Sequence, residues 1–132
     1  MSRWVAPAIV LLVLIGACEL WPLSEEKPEG PQFSHAVYFT LKNNSILQKQ
    51  KLVRDCYAYL RGHEGLVFFA ASEKAEHAES KPNEAQFDVS LHMVFANRDF
   101  YAEYEQSKKH QEFIARNKDN WQEVKVFDSV IQ

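Results

Sequence analysis

The chain has 132 residues, enough for one domain with a core of its own. Its 46% hydrophobic and 25% charged residues exclude a disordered polymer, and nine Phe with five Tyr point to a packed interior. Fifteen basic against eighteen acidic residues give a formal net charge of -3, and no basic stripe appears, so nucleic acid is excluded as the expected partner.

At the amino end, Arg3 supplies one positive charge and Trp4 to Ala17 carry none. As a helix, those fourteen residues would span about 21 Å at ~1.5 Å per residue. A hydrocarbon layer is about 30 Å thick, so residues 1–17 read as a secretion signal rather than a span. The ending Ile15-Gly16-Ala17-Cys18 resembles the lipobox of bacterial lipoproteins. That resemblance implies a cut before Cys18, lipidation of its thiol, and a lipid anchor on the extracytoplasmic face of a bacterial cell envelope. Two or three acyl chains hold a membrane stably where one does not. Residues 18–32 hold Pro22, Pro28, Pro31 and Gly30 among glutamates, and read as an extended acidic tether.

From His35 the pattern changes. "HAVYFTLK" alternates, with His35, Val37, Phe39 and Leu41 on one side and Ala36, Tyr38, Thr40 and Lys42 on the other, which predicts a strand. Asn44 or Ser45 caps a helix whose apolar positions run from Ile46 to Leu60, and Gly62 ends it. His63 falls in the turn that follows and is expected to be exposed. "GLVFFAAS" (65–72) predicts a second strand, and His77 belongs to the polar connection after it. "FDVSLHMVF" (87–95) alternates again, with Asp88, Ser90, His92 and Val94 opposite the apolar set. A helical region from Arg98 to Lys118 and a last strand, "VKVFDSVI" (124–131), complete the chain. The two cysteines make no disulfide framework, and the apolar surroundings of Cys56 predict a buried, inert thiol.

The order β-α-β-β-α-β is that of an α+β, ferredoxin-like fold: a four-stranded antiparallel sheet with helices on one face. The other face carries Tyr38, Thr40, Ser90 and His92, too aromatic to be left idle. A homodimer in which two sheets meet as a dimeric α/β barrel is therefore expected, with these four residues at the interface.

Three stretches carry a family resemblance: His35 to Lys42, "FDVSLHMVFANRDFYAEYEQSKKHQEFI", and the closing "VKVFDSVI". Over residues 33–132 they resemble the stress-responsive dimeric α/β-barrel (Dabb) domain family. A few plant relatives are cyclases that fold a polyketide with a histidine and a tyrosine, without metal or cofactor. On that resemblance the late histidine is His110, the tyrosine six residues before it is Tyr104, and the opening histidine is His35. The family often carries His-Pro just before the late histidine, where this chain has Ser107-Lys108; Ser107 is able to break and recap the helix.

His35, Tyr104 and His110 are thus the candidate catalytic residues, and two readings of them stand side by side. In the first they line a pocket that binds a small hydrophobic or aromatic molecule in a stress-related role. In the second His110 abstracts a proton while Tyr104 orients a carbonyl oxygen, in a cyclase-like reaction or a cofactor-free oxygenation. The bland account of His35 is a structural imidazole bonded to a helix backbone or to His110. No cofactor is expected: His35, His92 and His110 are not predicted to share a face as metal ligands, and the four glycines form no phosphate-cradling loop.

Overall fold

The structure, a computed structural model, describes residues 30–75 and 86–132. The expected signal segment 1–17, Cys18, most of the tether and His77 lie outside the described residues. Strands β1 (Gln32–Leu41), β2 (Leu66–Glu73), β3 (Val89–Phe95) and β4 (Trp121–Ile131) form one antiparallel sheet in the order β2-β3-β1-β4. Helices α1 (Ile46–Asp55), α2 (Arg98–Gln106) and α3 (Lys108–Asn117) supply the second layer. This is the ferredoxin-like arrangement that the period-two and helical patterns predict.

Side-chain alternation decides which face the helices cover. Along β1 every second residue is buried, namely Phe33, His35, Val37, Phe39 and Leu41. By register, Phe95, Met93, Leu91 and Val89 of β3 lie on the same side, and Leu52, Leu60, Tyr101, Tyr104 and Phe113 close the core from the helices. At about 25 cal/mol per Å2, apolar burial of this kind is the main stabilising contribution.

Three local devices shape the helical layer. After Asp55 the chain makes one wider, π-helical turn, Cys56–Leu60, and both of its end residues are fully buried. Ser45 occupies the cap position of α1 but its side chain makes no capping bond; the Asn43 side chain accepts from the Ser45 N–H instead. The helical region expected over 98–118 is two helices, broken at Ser107. Ser107 leaves the helical conformation (φ -67°, ψ 147°) and its hydroxyl accepts from the His110 N–H at 3.2 Å, recapping the chain as α3. Asn97 caps α2 in the same way, accepting from Asp99 and Phe100.

Two expectations are corrected. Asp88 precedes β3 and braces a corner: its carboxylate accepts from the Leu41 N–H at 2.8 Å and from Asn44 at 3.4 Å. His63 is half-buried rather than exposed, because the loop that carries it folds back on α2.

Among the described residues no helix lies over the far face of the sheet. Ser34, Ala36, Tyr38 and Thr40 point there from β1, opposite Ser90 and His92 of β3 and Lys125 and Phe127 of β4. Phe127 is 58% exposed and Phe68 53%. Tyr38 sits between Phe87, His92 and Phe127, whose ring centres lie 5.1, 5.6 and 5.8 Å from its own. The four predicted interface residues Tyr38, Thr40, Ser90 and His92 therefore share this face, and Tyr38, Ser90 and His92 line a hollow of about 610 Å3 on it.

Candidate functional site

Between the sheet and helices α2 and α3 lies a cavity of about 320 Å3, and His35, Tyr104 and His110 all line it. Its apolar walls come from Val37, Phe39, Leu91, Phe113 and Ile114. Trp121 closes one end, its buried Nε1–H without an acceptor among the described residues. Val124, Val126 and Asp128 form the lip, where β4 runs beyond the cover of the helices.

His35 enters from β1 and is 7% exposed. Its cross-strand neighbour on β4 is Asp128, and its Nδ1–H donates to Asp128 Oδ1 at 2.7 Å. A carboxylate only accepts, so this contact fixes the proton on Nδ1 and leaves Nε2 of the neutral ring with a free lone pair. The partner of His35 is thus a carboxylate and not the helix backbone. Asp128 also accepts from the Tyr101 hydroxyl at 3.4 Å, and Tyr101 donates to Glu105 Oε1 at 2.9 Å. Burial, then these two carboxylates, hold the Tyr101 hydroxyl protonated far above the usual phenol range.

His110 stands in the first turn of α3, placed by the Ser107 cap. Its Nδ1 lies 2.9 Å from the Glu105 carbonyl oxygen, which cannot donate, so Nδ1 carries the proton and Nε2 of the neutral ring is again the bare nitrogen. Tyr104 links the two imidazoles. Its ring centre is 4.6 Å from that of His110 and 6.0 Å from that of His35. Only 2% of Tyr104 is exposed. Burial, followed by nearby Cys56, Tyr101 and Glu105, keeps its hydroxyl protonated, so Tyr104 serves as a donor and not as a base.

The charges are one-sided. Glu105 and Asp128 line the cavity, and among the described residues no lysine or arginine does. Among the described residues no group of three or more histidine, cysteine or carboxylate side chains converges as a metal site. Cys56 is buried, and burial, then Asp55, pushes its thiol up to about 12, outside the range of a working nucleophile.

The three residues predicted for the site are therefore together, and the four predicted for the interface are on the other face. Reading the sequence missed Asp128, Tyr101, Glu105 and Trp121. A signal existed for Asp128: in "VKVFDSVI" alternation puts it on the same side as Val124 and Val126, an acid on a face that is otherwise apolar. Cys18 lies outside the described residues.

The model of the stress responsive A/B barrel domain matches residues 33–131. No protein with a curated description matches the chain. Solved structures share the fold. A Dabb family protein with a ferredoxin-like fold from Mesorhizobium loti is 22% identical, with 78% of this chain and 99% of that one covered and a TM-score of 0.65. A dimeric ferredoxin-like protein of unknown function from Thermobifida fusca is 13% identical, covering 78% and 93%, with a TM-score of 0.63. The hydroxynitrile lyase of Passiflora edulis is 16% identical, covering 76% and 94%, with a TM-score of 0.62.

Proposed function

The chain belongs to the stress responsive A/B barrel domain family, and from that premise we propose that it binds a small hydrophobic or aromatic molecule between its sheet and helices α2 and α3. One observation carries this reading: the cavity of about 320 Å3 has apolar walls and a few convergent polar groups, His35, Tyr104 and His110. The histidines offer acceptor nitrogens and Tyr104 a donor, while Glu105 and Asp128 disfavour anions.

The protein is further read as a homodimer tethered to a bacterial membrane through Cys18. The uncovered aromatic face around Tyr38 supports the first part, as do relatives described as dimeric. The lipobox-like sequence supports the second. The stress-related role comes with the family's description.

A panel of neutral aromatics and lipids, tested by thermal shift on the full-length chain in detergent, examines the binding reading. A rise in Tm with at least one class, lost on Val37→Glu, supports it; no rise across the panel overturns it. Cys18→Ser should move the protein from the membrane fraction to the soluble one.

A second reading is favoured by the His35–Asp128 contact, a carboxylate-backed imidazole with a free nitrogen facing a donor tyrosine. On it, the protein catalyses proton transfer without a cofactor, in the manner of a cyclase or, by fold analogy alone, a cofactor-free monooxygenase. The Passiflora lyase shows that an enzyme exists on this fold. His110→Ala would then abolish turnover of a bound ligand with little change in Tm; an equal loss of both would make His110 structural.

A further inference from the structure

A third histidine reaches the same tyrosine, from the loop between α1 and β2. Two glycines at positive φ bracket it, Gly62 at 92° and Gly65 at 72°. A Cβ on Gly65 would lie 2.1 Å from Phe100 Cγ, so this position must stay bare for the loop to seat on α2. The Gly65 carbonyl accepts from the Ala96 N–H at 2.7 Å, and the Leu66 N–H donates back to the His63 carbonyl at 3.3 Å. The loop is therefore pinned to the start of α2, one helical turn before Tyr104. His63 then stands edge-on to Tyr104 at 5.1 Å, with the rings 84° apart, and its Nε2–H donates to the Tyr59 carbonyl at 3.3 Å. Tyr104 is thereby held by two imidazoles, His63 from this loop and His110 from α3.

We propose that His63 is a positioning residue of the pocket: it sets the Tyr104 ring against His110, and it is a like-charge neighbour of His110 when both rings are protonated. Lys109 and His110 act on it from α3, Tyr104 from α2 and the Tyr59 carbonyl from the π-helical turn; Arg61 and Glu64 flank it in its own loop. Burial first, then Lys109 and His110, lower its affinity for a proton, while the Tyr59 carbonyl works the other way. The consequence is a pocket whose central tyrosine is disturbed when His63 takes up a proton in mild acid.

That consequence rests on the binding reading, but the test needs no ligand, so the two fail separately. Histidine- and tyrosine-labelled full-length chain in detergent micelles is titrated by NMR across the imidazole range. In His110→Asn the midpoint of His63 should move up. In His63→Phe, which keeps a ring against Tyr104, the Tyr104 signals should stay near their original positions, whereas His63→Ala should displace them. An unchanged His63 midpoint in His110→Asn, or Tyr104 signals indifferent to His63→Ala, overturns the proposal. If His63→Ala does not fold, the His63 midpoint in His110→Asn decides.

Discussion

The two faces of the sheet are built from similar residues and treated in opposite ways. On the inner face Phe39, Leu91, Met93 and Phe95 are each at most 2% exposed, and helices cover them. On the outer face Phe127, beside Tyr38, and Phe68 are more than half exposed, and no element among the described residues lies over them. Rings of this size left wet on a small domain mark a surface with a partner. The inner face is closed except where the cavity opens at the lip of β4; the outer face is complete only with a second copy. On the function proposed above, one sheet then serves two purposes, ligand on one side and self on the other.

The comparison breaks most heavily if the inner face is opened. Phe39 packs against Phe113 and Trp121 at ring distances of 6.3 and 5.2 Å, so Phe39→Ala should cost about 3–5 kcal/mol in chemical denaturation. A charge on the outer face should leave the fold alone. Tyr38→Glu is expected to halve the mass seen by sedimentation while moving Tm by only a few degrees; an unchanged mass would take the partner away from that face. A smaller effect concerns His110. Ser107→Ala removes the cap that seats His110 and should cost about 1 kcal/mol, with Ser107→Asp largely restoring it.

The smallest effect is acid sensitivity. The affinity of His63 for a proton is lower in the fold than its ordinary value of 6.5. The unfolded chain therefore takes up the proton first as pH falls, and the stabilisation present above about 6.5 is lost progressively below it. Tm measured between neutral and mildly acidic pH should fall more steeply for the wild type than for His63→Phe.

Most of the fold was legible because it follows from periodicity. The alternation of His35 to Leu41 already divided the two faces, and His35 sits on the side its neighbours predicted. The break at Ser107 was readable from a residue able to cap. The site was legible only in part. His35, Tyr104 and His110 could be named, but the bond from His35 to Asp128 spans 93 residues and depends on strand register, which a pattern of hydrophobicity does not fix. His63 was misread for a similar reason. A histidine between two glycines looks like a solvated turn, and only the seating of Gly65 on Phe100 turns it toward Tyr104.

The most direct measurement is an NMR titration of the full-length chain with 1-naphthol, a neutral aromatic, read on both faces at once. The account predicts saturable shifts at His35, Tyr104 and His110, with Tyr38 and His92 unmoved. Shifts centred on Tyr38 and His92, with the inner three residues silent, would contradict it.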